Sequence, residues 1–157
     1  MKQLSETIKK REMKILIIYE SQFGNGEKII KELQEILNEK GQDVEIFPVR
    51  TTKPSSLPPA DFYIFHSPIR MFNIPLKMRF FLMRFKPAKT GAKYALMTTY
   101  LDPRVKALTI MGEMLDKKGM IRVSDGFKAK VLDMKGPLEE GYKERLGKFA
   151  EEILKNI

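Results

Sequence analysis

With 157 residues, 43% of them hydrophobic and 31% charged, the chain is long enough for one domain with a proper core and too short for two comfortable ones. It has no cysteine and one histidine, His66. That excludes a disulfide framework, a thiolate nucleophile, Cys-ligated zinc or iron–sulfur centres and a multi-His metal site, and it leaves a Ser-His-Asp triad one place for its base. Basic residues outnumber acidic ones 29 to 20, for a formal charge of +9, a balance that suits nucleic acid, an acidic protein or anionic lipid as partner.

Residues 1–12 are polar and lack the apolar stretch of a signal peptide, and no window approaches the roughly 18 apolar residues of a membrane span. They read as a short arm outside a domain of residues 13–157, and the chain as cytoplasmic. Lys14-Ile15-Leu16-Ile17-Ile18-Tyr19 is short and apolar on both faces, as a central parallel strand requires. Glu20 to Gly26 is turn chemistry. From Glu27, the residues Ile29, Ile30, Leu33, Ile36 and Leu37 recur at helical spacing until Gly41. Val44 to Val49 alternates like an edge strand, where Pro48 is tolerable.

The proline-rich stretch from Lys53 to Pro59 is a connector. Phe62 to His66 reads as the third strand, followed by a loop through Asn73 and a helix from Pro75 to Phe85. Ala92 to Thr98 is a fourth strand, Val105 to Lys118 a helix closed by Gly119, Phe127 to Leu132 a fifth strand, and Leu138 to Leu154 a C-terminal helix. Strands alternating with helices at this rhythm imply an α/β fold: a doubly wound, five-stranded parallel sheet with right-handed crossovers. Ligands of such sheets sit at the carboxyl ends of the strands, beside the point where strand order reverses. That singles out residues 20–26, 67–73 and 99–103.

The loop Ser21 to Gly26 leaves a buried strand and opens a helix, so backbone N–H groups and the positive helix end converge there, with Ser21 and Asn25 as side-chain donors. It suits a phosphomonoester. No Gly-Lys-Ser/Thr follows, as a nucleoside triphosphate loop would need, and the three-glycine dinucleotide pattern is absent. The same residues would also serve an ordinary βα turn. His66, alone at the end of a strand, reads as hydrogen-bonded to backbone rather than catalytic.

At this point the residues resemble a family. Ile17-Ile18-Tyr19-Glu20-Ser21-Gln22-Phe23-Gly24-Asn25-Gly26-Glu27-Lys28 is similar to the phosphate-loop signature of the flavodoxins, an aromatic residue followed by Ser/Thr-x-Thr/Tyr-Gly-Asn-Thr-Glu. Phe23 stands where Thr is usual, and Gly26 where a Thr hydroxyl normally binds phosphate. Asp61 to Arg70 resembles the family's third strand and its Ser-Pro loop, Tyr94 to Tyr100 the fourth strand ending in Ser/Thr-Tyr, and Gly136 to Gly141 the turn into the last helix. Paired acids after the first strand and an Asp ending the third, which a receiver domain would need, are missing.

The resemblance implies strand order 2-1-3-4-5 and FMN at the carboxyl edge. Its phosphate would lie in the loop of Ser21, Gln22, Phe23, Gly24, Asn25 and Gly26. Its ring would lie between Ser67, Pro68, Ile69, Arg70, Met71 and Phe72 on one side and Thr99 and Tyr100 on the other. Met71, Phe72 and Tyr100 are the available flat walls, while Phe72 could equally anchor the next helix and Arg70 either face the flavin or be solvated. Restoring the hydroxyl with Gly26→Thr is expected to strengthen binding by about 0.5–1.5 kcal/mol, provided the backbone there does not require positive φ.

The implied function is electron transfer or a small flavin-dependent oxidoreductase. The alternative is a flavin-free doubly wound domain serving as a binding module for an acidic partner. Between Asp61 and Asp102 no acid occurs, while Arg70, Lys77, Arg79, Arg84, Lys86, Lys89 and Lys93 lie in the interval. An acidic redox partner is therefore expected, although typical flavodoxins are themselves acidic. Within the 75–85 helix, Leu76, Phe80 and Met83 form one stripe and Met78, Phe81, Leu82 and Phe85 another. One stripe suffices for packing on a sheet, so the second is expected to meet another subunit, a neighbouring helix or a lipid surface. Aromatics at core spacing argue against a nucleic-acid stacking row.

Overall fold

The structure is a computed structural model that describes residues 12–69, 73–102 and 106–157. The proposed N-terminal arm lies outside the described residues, apart from Glu12. Among the described residues six strands and four α-helices follow one another: β1 (Lys14–Tyr19), α1 (Asn25–Glu39), β2 (Asp43–Pro48), β3 (Phe62–Pro68), α2 (Leu76–Arg84), β4 (Lys93–Tyr100), α3 (Ala107–Asp116), β5 (Ile121–Arg122), β6 (Phe127–Lys130) and α4 (Tyr142–Asn156). The sheet runs β2-β1-β3-β4-β5, with β6 also paired to β4, and every strand pair is parallel. This is the order the resemblance implies, with β2 at the edge where Pro48 can be borne.

Alternation along the central strands divides the core into two layers. Ile15, Ile17, Phe62, Ile64, Ala95 and Met97 face α1 and α4, meeting Ile29, Leu33, Leu146 and Phe149. Leu16, Ile18, Tyr63, Phe65, Tyr94 and Leu96 face α2 and α3, meeting Met78, Phe81, Phe85 and Met111. Each fully buried Ile, Leu or Phe contributes about 1.5–3 kcal/mol of transfer free energy, so both helical layers are held firmly to the sheet. On the second face Phe85 packs edge-on to Tyr63 at 5.1 Å and to Phe65 at 5.3 Å between ring centroids, which fixes the end of α2.

The two stripes of α2 separate cleanly. Met78, Phe81, Leu82 and Phe85 are buried, whereas Leu76, Phe80 and Met83 are 66%, 49% and 61% exposed. The fifth strand differs from expectation. It is not one segment from Phe127 to Leu132 but two, because Arg122 pairs with Tyr94 and Phe127 with Met97, so residues 123–126 bulge out. Arg122 ties the bulge by donating from Nε to the Ser124 carbonyl (2.9 Å) and from Nη2 to that of Asp125 (2.7 Å). Gly126 makes the return possible: its φ is +102°, and a Cβ there would meet the Leu96 carbonyl at 3.1 Å.

The last helix starts at Tyr142 rather than Leu138. Leu138 instead bridges back to Val131, the Glu139 amide donates to the Lys130 carbonyl, and Gly141 enters the helix at φ +80°. The third helix likewise spans Ala107–Asp116, shorter than expected, and Val105 lies outside the described residues.

Candidate functional site

The carboxyl ends of β1, β3, β4 and β6 open into one cleft of about 420 Å³, within the range of small-molecule sites. Ser21, Gln22, Phe23, Asn25 and Gly26 line it from the β1–α1 loop, Pro68 and Ile69 from the end of β3, and Thr99, Tyr100, Leu101 and Asp102 from the end of β4. Val131 and Met134 complete it. Nine of the residues singled out in the sequence thus meet here: Ser21, Gln22, Phe23, Asn25, Gly26, Pro68, Ile69, Thr99 and Tyr100. Gly24 and Ser67 do not line it, and Arg70, Met71 and Phe72 lie outside the described residues.

Leu101 and Asp102 fall within the 99–103 stretch but carry no pattern of their own that marks them as lining residues. Val131 and Met134 lie outside all three stretches. The signal for them was available, since the rule that ligands gather at carboxyl ends of strands applies to the fifth strand as well as to the first, third and fourth.

Local hydrogen bonding decides which groups of the loop are free. Glu20, buried at the end of β1, accepts from the Ser21 amide (2.9 Å) and from Nε of Arg50 (2.7 Å) at the same oxygen, Oε1. The Ser21 hydroxyl oxygen accepts from the Glu27 amide at 3.2 Å, in the manner of a helix cap. The Lys28 amide donates to the Gly24 carbonyl. The amides of residues 22–26 find no acceptor among the described residues, and they sit at the positive end of α1. Gly24, at φ +89°, provides the left-handed step that turns the chain into the helix.

One of the two expected side-chain donors is otherwise engaged. The Asn25 amide Nδ2 donates to the Met134 carbonyl at 3.2 Å, so its side chain ties the loop to the 131–134 segment instead of reaching for an anion. Gly136 lets this happen, because a Cβ there would fall 2.8 Å from Asn25 Oδ1. The Ser21 amide is committed to Glu20, leaving its hydroxyl proton as the free side-chain donor. Below the cleft, the Thr98 hydroxyl donates to the Ser67 carbonyl at 2.7 Å, and the Ser67 hydroxyl to the Pro68 carbonyl at 3.0 Å. These bonds fix where β3 and β4 end.

Gly26 overturns the expectation that a threonine would fit there. Its backbone needs no positive φ, but a Cβ would lie 2.2 Å from Cε1 of His66. The imidazole occupies the space where a side chain at 26 would go. His66 is buried, its Nδ1 lies 3.2 Å from the Glu20 carbonyl, and its Nε2 has no partner among the described residues. Burial pushes its pKa down to about 4, so the ring is neutral at neutral pH.

The site is therefore an apolar slot, walled by Phe23, Ile69, Tyr100, Leu101, Val131 and Met134, with a row of unengaged amides at one end. A parallel sheet in this order, with such a slot at its carboxyl edge, defines a flavodoxin-like α/β protein. The family model described as flavodoxin domain matches residues 16–130, and the chain belongs to that family.

Among solved structures, it is similar to oxidised flavodoxin 2 from Bacillus cereus, at TM-score 0.79 and 24% identity over 92% of this chain and 99% of that one. A flavodoxin from the domain Archaea matches at TM-score 0.76 and 18% identity, over 91% and 97%. Rubredoxin oxygen:oxidoreductase from Desulfovibrio gigas matches at 0.76 and 19%, over 90% of this chain and 35% of that larger one. No curated protein sequence matches the chain. Among the described residues no helix is long and apolar enough to cross a membrane.

Proposed function

We propose that this chain binds FMN in the 420 Å³ cleft and acts in electron transfer, as a carrier or as a small flavin-dependent oxidoreductase of the cytoplasm. The observation that carries this reading is the union, in one slot, of unengaged amides at the start of α1 with the apolar wall of Tyr100, Ile69 and Met134. The residues fit the group: a terminal phosphate requires N–H donors and a positive helix end, and a flat ring system requires apolar faces. A bound flavin supplies the redox chemistry, and the protein's part is to hold and tune it. Residues 21–26 would hold the phosphate, Ser21 through its hydroxyl and the others through their amides, while Pro68, Ile69, Thr99 and Tyr100 would bound the ring together with Arg70, Met71 and Phe72.

The partner implied is an acidic redox protein. Lys77, Arg84, Lys86, Lys89 and Lys93 are exposed in the acid-free interval, and α2 follows directly on the β3 end of the cleft. The exposed row Leu76, Phe80 and Met83 offers a subunit contact on the same helix.

Flavin fluorescence quenching tests the reading. Saturable quenching by FMN, with riboflavin binding much more weakly, is expected, together with a visible flavin spectrum for the loaded protein. Equal affinity for riboflavin would mean that the 21–26 loop does not hold the phosphate, and no quenching by either would remove the flavin altogether.

A further inference from the structure

The structure places the chain's one histidine directly beneath the first turn of α1. His66 ends its run of core-facing positions on the same side of β3 as Phe62 and Ile64, the side covered by α1. Its ring is turned to Gly26 so closely that a Cβ at 26 would be 2.2 Å from Cε1 and 2.9 Å from each nitrogen. The side chain is 1% exposed, and Nε2 lacks a partner among the described residues. A buried polar atom left unpaired is costly, and natural proteins seldom keep one without a use. Here it lies against the backbone whose amides are also unengaged.

We propose that His66 is the proton-linked counter-group of the phosphate loop: a phosphate dianion on the amides at the start of α1 draws a proton toward the ring, so that His66 takes one up at higher pH when the loop is filled than when it is empty. This rests on the binding reading above and goes beyond it, because it assigns a role to a residue that does not line the cleft. The ring is well arranged for it. Nδ1–H can donate to the Glu20 carbonyl in either charge state, so protonation adds a hydrogen at Nε2 alone, one of the two nitrogens flanking the Cε1 edge turned toward Gly26.

Other charges near the ring do not already perform this task. On β1 its register partner is Tyr19, and the adjoining Glu20 carboxylate is held by Arg50 through Oε1, its Oε2 being buried without a partner among the described residues. On α1 the nearest acid, Glu27, pairs with Lys31. On β4 the register partner is Met97, which does not titrate. Burial is the largest influence on His66 and holds its pKa near 4, with backbone hydrogen bonds opposing it. An anion on the amides at the start of α1 would supply an opposite charge on the side of the ring that faces the loop, and a nearby opposite charge raises the pKa of an imidazole.

With a single histidine, the imidazole resonances of the whole chain are unambiguous. They should be followed by NMR against pH in three samples: without flavin, saturated with riboflavin, and saturated with FMN, saturation being verified by fluorescence. The expected result is a His66 titration midpoint raised by about one pH unit or more with FMN and unchanged with riboflavin. FMN binding with an unmoved midpoint overturns this inference and leaves the binding reading standing. A midpoint raised equally by riboflavin overturns it too, since the ring and not the phosphate would be responsible. Failure of FMN to bind overturns both.

Discussion

His66 and Gly26, far apart in sequence, occupy one volume: a Cβ on the glycine would lie 2.2 Å from the imidazole Cε1. Since the ring is buried on a central strand, it cannot move aside cheaply. Gly26→Ala should therefore cost about 1–3 kcal/mol of stability by overpacking, and Gly26→Thr more than Gly26→Ala. In a His66→Ala background the same changes should cost far less, giving a coupling free energy of about 0.5–3 kcal/mol in a double-mutant cycle. Urea unfolding of the four proteins measures it. Additive effects would mean that the two residues do not share this space.

Stability should depend on pH through the same ring. His66 has its pKa lowered from 6.5 to about 4 by burial. On acidification the unfolded chain takes up the proton first, so the stability due to this group is complete above about pH 6.5, falls as the pH drops toward 4, and levels off below. The full loss is about 3 kcal/mol, since each pH unit between the unfolded and folded pKa values is worth about 1.4 kcal/mol. Unfolding free energies at about pH 7 and about pH 4.5 should differ more in the parent protein than in His66→Gln. Equal differences in the two proteins would show that another group is responsible.

Much of this architecture is legible in the residues. Ile15 to Tyr19 is apolar on both faces because both faces are covered, and the β1–α1 loop announces itself by its glycines. The two stripes of α2 can be told apart as patterns, although only the packing of Phe85 against Tyr63 and Phe65 decides which one is buried. Other features depend on tertiary relations that no local pattern carries. β5 is two residues long and is fixed by Arg122 holding its own bulge. Asn25 looks like an anion donor until Met134 arrives beside it from the other end of the chain. Gly26 read alone is a missing hydroxyl, and His66 read alone is a strand-end polar residue. Their meaning comes from contact with each other.

Tyr100, half-buried at the end of β4 and lining the cleft, should stack on the bound flavin. Tyr100→Ala is expected to weaken FMN binding by roughly 0.5–1.5 kcal/mol beyond the loss of buried area, and Tyr100→Phe to retain most of the affinity. Fluorescence titration gives the affinities, and the visible spectrum reports the change at the ring. An alanine variant with unaltered affinity and spectrum would remove Tyr100 from the site.

Electron transfer to an acidic partner should depend on the basic surface of α2. Lys77 and Arg84 are exposed on this helix, which has no acid of its own, and neither is tied to a carboxylate among the salt bridges of the described residues. Such charges act chiefly on the rate of encounter, and their reach shrinks to about 8–10 Å as ionic strength approaches physiological values. The second-order rate with an acidic acceptor should therefore fall steeply with added salt. Lys77→Glu with Arg84→Glu should lower it at low salt, flatten its salt dependence, and leave FMN affinity nearly unchanged, because neither residue lines the cleft. Stopped-flow kinetics across a salt series separates the two components. A rate indifferent to both salt and charge reversal would leave α2 as a solvated basic face, with Leu76, Phe80 and Met83 serving a contact that does not involve electron transfer.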